Sequence, residues 1–129
     1  MDSENFLKKD KIIYWATTGL FSAAMFMNAY LYFTDPKMVA GFKHLGFTDF
    51  FRKELAIAKI IGAIVLLVPA FSSKIKEWAY AGFGITFIAA SLAHYSANDP
   101  ASHTVMPLFF LVFLIISNFY FSKTKNSNN

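Results

Sequence analysis

Residues 12–33 read IIYWATTGLFSAAMFMNAYLYF, without one charged side chain. As a helix rising ~1.5 Å per residue, this block is about 33 Å long, enough to cross the hydrocarbon core of a bilayer. Three further apolar blocks follow, at about 55–71, 77–97 and 105–121, separated by short polar connections. A chain of 129 residues that is 56% apolar and 16% charged does not have the polar surface of a soluble domain, where charge runs near 25%. The expectation is an all-α, integral membrane four-helix bundle forming one domain over 1–129.

Lys8, Lys9 and Lys11 before the first block resemble the n-region of a signal peptide. The block is too long for a cleaved h-region, and no small-x-small cleavage site follows, so a retained anchor is expected. Between the first two blocks, Asp35-Pro36 stops a helix. Met38, Val39, Phe42, Leu45 and Phe50 then recur near helical spacing among charges, with Gly41 and Gly46 interrupting. This predicts a short amphipathic helix at the membrane surface. Pro69 predicts a bend near the end of the second span, and Ser72 to Lys76 a tight turn. Loop 97–104 is a polar break, and Pro107 falls in the first turn of the fourth span, where proline is tolerated. The tail SKTKNSNN is expected to be disordered.

Orientation follows from the basic residues. With the N-terminus inside, the inner segments carry Lys8, Lys9, Lys11, Lys74, Lys76, Lys123 and Lys125, and the outer ones Lys37, Lys43, Arg52 and Lys53. The excess places both termini on the cytoplasmic side. The net charge of +4 is thereby assigned to topology and anionic lipid rather than to nucleic acid. There is no cysteine, which excludes structural disulfides and thiol redox chemistry.

That topology gathers polar residues toward the outer leaflet. Asn28 lies late in the first span, Glu54 and Lys59 early in the second, and His94 late in the third. These four are the candidate pocket, with Tyr95 and His103 as weaker members. A charge near the bilayer centre costs ~2.5–3.5 kcal/mol on insertion scales. Lys59 therefore either snorkels to the headgroups on its long stem or turns inward to a partner. Its neighbours Ala56, Gly62 and Ala63 are small, as on helix contact faces in membranes, and favour the inward reading. His94 adjoins a stripe of small residues, Gly82, Thr86, Ala90, Ala93 and Ala97, expected to pack inside the bundle, with Phe87 peripheral. A His bonded to a carbonyl or tyrosine and a His in a proton relay both fit it. Haem ligation by His94 and His103 is disfavoured by the proline-containing loop between them. His44 is read as solvated, Trp15, Trp78 and Tyr80 as interfacial belt residues, and the Phe-rich fourth span as facing lipid. No metal site of recognisable spacing, phosphate loop or nucleophilic triad is present.

Glu54 to Gly62 (ELAIAKIIG), Leu66 to Pro69, Lys76 to Phe83 (KEWAYAGF) and Ala93-His94 together resemble the DoxX-like family of small bacterial membrane proteins, over about 11–121. The resemblance implies a four-span bundle in the bacterial cytoplasmic membrane. The family is named by similarity to a small subunit of an archaeal thiosulfate:quinone oxidoreductase, and some relatives are linked to membrane redox complexes. It carries no catalytic residue onto this chain, so a quinone cofactor rests on analogy alone. The leading expectation is a non-catalytic accessory subunit or scaffold of a membrane redox or envelope complex. The alternatives are a quinone- or small-molecule-binding oxidoreductase subunit with a polar outer-leaflet pocket, and a small oligomeric transporter. The expected partners are the lipid bilayer and either a second membrane protein or further copies of the chain.

Overall fold

The computed structural model describes the backbone of residues 2–127 and the side chains of 8–124. Lys125 and Ser127 have side chains outside that range, and Asn128 and Asn129 lie outside it altogether. The described residues form five helices and no strand: α1 (Asp2–Thr34), α2 (Pro36–His44), α3 (Asp49–Leu67), α4 (Ser73–Ser96) and α5 (Ala101–Ser127).

Local chemistry sets the boundaries. Asp35 caps α2 by accepting from the Lys37 amide at 3.0 Å, with Pro36 in the first turn, where its missing N–H is harmless. Gly46, at φ +89°, turns the chain out of α2. Thr48 then starts α3 by accepting from the Phe51 amide at 3.1 Å. The short helix between the first two long ones is thus present. α3 begins earlier than the apolar block because a charged turn is still a helical turn, and there Arg52 bonds Asp49 at 2.6 Å. Pro69 does not bend α3. Val68 before it is extended, at ψ 117°, and the helix ends at Leu67, as the steric clash ahead of a proline demands. The expected turn at 72–76 lies instead at 68–72, and Ser72 caps α4. α5 starts at Ala101, so Pro107 sits past its first turn and leaves the His103 carbonyl without its helical donor. The tail, expected to be disordered, continues α5 to Ser127.

The four long helices alternate in direction. α1 packs most extensively on α3 and α5, α4 packs on α5, and the α3–α4 contact is the thinnest of the ring. The core is aromatic. Phe21 meets Phe83 edge-on at 5.1 Å, and Phe87 lies between Phe83 and Phe110, stacked at 6.2 and 5.9 Å. The buried face of α4 is Lys76, Tyr80, Phe83, Phe87 and Ser91. This corrects two expectations. Phe87 is not peripheral but 4% exposed, and the stripe through Gly82, Thr86 and Ala90 is only partly covered, Gly82 being exposed. Small residues permit close approach but do not fill volume, and here rings fill it.

Small residues do mark the contact face on α3, where Ala56 and Ala63 are fully buried. Gly62 receives the Phe83 ring so closely that a Cβ would lie 2.7 Å from it. Gly62→Ala should therefore overpack this contact and destabilise the bundle by ~1–3 kcal/mol. Unfolding in detergent measures it, and unchanged stability would mean that the ring moves aside freely.

Toward the Tyr14 and Phe121 end, the core also buries polar groups. The Tyr80 and Thr18 hydroxyls both meet Ser117 Oγ at 2.6 Å. Lys76 Nζ and Tyr14 Oη donate to the Leu66 carbonyl at 3.4 and 3.5 Å, one of the carbonyls that the end of α3 frees. Tyr80 is thus a core residue, 3% exposed, rather than a belt residue.

Candidate functional site

Asn28 and Tyr32 stand one helical turn apart on α1 and share a face. The antiparallel α3 brings Lys59 against that face. Lys59 Nζ donates to Asn28 Oδ1 at 2.6 Å and to Tyr32 Oη at 2.7 Å, and lies 4.4 Å from the Tyr32 ring centroid. Lys59 is only 5% exposed. Of its two possible directions, the side chain takes the inward one. The partners bonded to it are an amide and a phenol oxygen, both uncharged, so hydrogen bonds and a ring face replace water around the ammonium.

The connection builds the roof. Phe42 of α2 meets the Tyr32 ring edge-on at 4.9 Å, and Phe47 and Phe51 stack at 4.8 Å beside it. The amphipathic segment thus lays its aromatic face over the Lys59 end of the bundle. On the α4 side, Lys59 edges a cleft of about 160 Å³ between α3 and α4, lined also by Leu55, Ala58, Gly62, Ala79, Gly82, Phe83 and Thr86. The thin α3–α4 contact and the missing side chains of small residues on both walls account for this space.

The four candidate residues do not make one pocket. Asn28 and Lys59 are joined. Glu54 is exposed on α3. His94 belongs to a second cluster, in which its Nδ1 donates to Asp99 Oδ2 at 2.7 Å and His44 Nε2 donates to Asp99 Oδ1 at 2.7 Å. His103 stands against His94, ring centroids 5.5 Å apart, and is itself exposed. Tyr95 is 73% exposed and joins neither group. Hydrogen bonds from His94 and then His44 hold the Asp99 carboxyl below the usual carboxylate range.

Three members escaped the sequence reading. Tyr32 was legible in principle, since it follows Asn28 by four residues. Asp99 looked like a loop residue, and His44, read as solvated, is in fact bonded to it. Asp99 follows His94 by only five residues, whereas the His44 contact could not be found from spacing, because it spans 55 positions and depends on how α2 lies across the bundle end.

The model of the DoxX-like family matches residues 16–117, most of the chain, including Asn28, Lys59 and His94. No curated protein and no solved structure matches the chain.

Proposed function

The chain belongs to the DoxX-like family, and on that premise we propose a four-span protein of the bacterial cytoplasmic membrane, termini inside, acting as a non-catalytic accessory subunit of a membrane complex. One observation carries the reading: every long helix exposes large apolar side chains along its length while polar ones in its middle turn inward. Leu20 and Met27 on α1, Ile57 and Ile61 on α3, Ile85 and Leu92 on α4, and Phe109 and Ile115 on α5 are all more than half exposed. Thr18, Ser22, Lys59, Ser91 and Ser117 are buried. A water-soluble protein rarely leaves so much apolar surface contiguous. By length and composition alone, α5 is the one helix among the described residues long and apolar enough to cross a membrane, over Ala101–Thr124 with mean hydropathy 2.0. The averages of α1, α3 and α4 are lowered partly by inward polar groups such as Ser22, Lys59 and Ser91, and partly by exposed ones at the helix ends, such as Lys53, Glu54 and Glu77.

The accessory role is supported by how those polar groups are used. The two buried networks, at Lys59 and at Ser117, bond side chains of different helices to each other and hold the bundle together. A specific observation favours a second reading. Lys59 borders the α3–α4 cleft, so a carbonyl of a small apolar ligand such as a quinone would find an ammonium donor there. At about 160 Å³ the cleft is smaller than the ~300–1,000 Å³ typical of ligand pockets, which places this reading second.

The chain lacks cysteine, so single introduced cysteines report topology cleanly. Ser73→Cys and Ser127→Cys should be shielded from an impermeant reagent applied outside, and Ser102→Cys should react. Labelling at 73 with protection at 102 would reverse the orientation, and equal labelling of all three would reject a spanning bundle. Gentle detergent purification followed by mass spectrometry tests the role. A stoichiometric membrane-protein partner is the expected result, and a retained quinone without a partner protein would replace it with the second reading.

A further inference from the structure

We propose that His94, Asp99 and His103 form a binding site for a divalent late transition metal of the zinc class, with His44 holding Asp99 from outside. This goes beyond the accessory reading and does not depend on it.

Three elements converge on the site. α4 ends with His94 in its last turn, α5 begins with His103 in its first, and α2 ends with His44. The short connection between α4 and α5 is held in shape. Asn98 adopts φ +58°, a left-handed conformation that asparagine tolerates better than most residues. The Asn98 amide bonds the Tyr95 carbonyl and the Asp99 amide bonds the His94 carbonyl, both at 3.1 Å. This folds Asp99 back over the end of α4, its side chain only 11% exposed, with each carboxylate oxygen bonded to a different imidazole.

One ligand atom from each of His94, Asp99 and His103 lies within 4.8 Å of the others. A tetrahedral zinc with bonds of ~2.0–2.1 Å sets its ligand atoms about 3.4 Å apart. His103, exposed on the first turn of α5, has the rotamer freedom to close that difference. Between His94 Nδ1 and Asp99 Oδ2 the metal takes the place of the proton they share, and that proton moves to Nε2 of the same ring. The His44 bond to Asp99 Oδ1 remains and orients the carboxylate, as outer-shell partners of metal ligands commonly do.

Two imidazoles and one carboxylate suit zinc and its neighbours, whereas calcium and magnesium require oxygen ligands. Three protein ligands leave a fourth position open to water or to a group from a partner. The three ligands fall within ten residues of sequence, but their convergence depends on how the 97–100 connection folds back over the end of α4, and the supporting imidazole comes from a distant helix.

Tag-free, full-length protein in detergent, titrated with zinc alone by calorimetry and checked for bound metal by mass spectrometry, tests the site. One zinc per chain should bind in the micromolar range or tighter. His103→Ala, an exposed change that spares the Asp99 clasp, should weaken binding at least tenfold, and His44→Ala should weaken it less. Cobalt should give the visible absorption of a nitrogen- and oxygen-ligated tetrahedral centre in the wild type, and lose it in His103→Ala. The absence of stoichiometric zinc binding would overturn the site. So would zinc affinity and a cobalt spectrum unchanged in His103→Ala.

Discussion

Phe87→Ala should destabilise the bundle by about 2–3 kcal/mol, more than any change in the neighbouring small-residue stripe. The ring touches Phe21, Phe83 and Phe110, from α1, α4 and α5, and is 4% exposed. If the unfolded reference is a set of helices in lipid, no transfer to water enters. The loss is then the packing term, ~24 cal/mol per Å³ over the roughly 100 Å³ that a benzyl group vacates. Ala90→Leu, on the partly covered stripe, should be mild by comparison. Reversible unfolding in mixed micelles compares the two. Should Ala90→Leu prove the more damaging, the assignment of the α4 core face is wrong.

The second large effect concerns the buried ammonium. Asn28→Leu should destabilise by ~1.5–3 kcal/mol, because a hydrogen bond to a charged group is lost and Lys59 stays buried. Lys59→Met should be close to neutral or stabilising, since it removes the charge that needs the clasp and keeps the volume. The double variant Asn28→Leu/Lys59→Met should recover most of what Asn28→Leu loses. Such recovery separates a polar clasp from simple damage to α1. Additive losses would show that Asn28 acts independently of Lys59. If Lys59→Met instead abolished binding of a co-purified quinone without changing stability, the ligand-binding reading would take precedence.

The DoxX-like membership, the all-helical fold and the short amphipathic element were legible from residues close together in the chain. Asp35-Pro36 was read as a helix boundary, and its effect as a cap reaches only a few residues; Thr48 and Ser72 are caps of the same local kind that the sequence reading missed, Ser72 having been placed inside a turn. For Lys59 the sequence left two directions open and favoured the inward one, because Ala56, Gly62 and Ala63 mark the same face of one helix. Pro69 was seen but its outcome was misjudged. A proline inside an apolar run can kink a helix or end it, and the choice depends on whether neighbouring helices hold the following residues in line.

Tertiary structure alone decided which face of α4 is the core. The aromatic row and the small-residue stripe run side by side at helical spacing, and both are plausible interiors. The rings won because α4 packs far more extensively on α5 than on α3 and its rings reach Phe21 of α1 across the core, leaving the stripe beside a cleft. The split of the expected pocket had the same origin. Depth in the membrane, read from topology, gave Asn28, Lys59 and His94 one coordinate each, but not their azimuth around the bundle. α1 and α3 turn Asn28 to Lys59, whereas the fold of 97–100 turns His94 to Asp99. A helical sequence reports which residues share a face, because that follows from 3.6 residues per turn. It does not report which faces meet, because that follows from how side-chain volumes of several helices fit together at once.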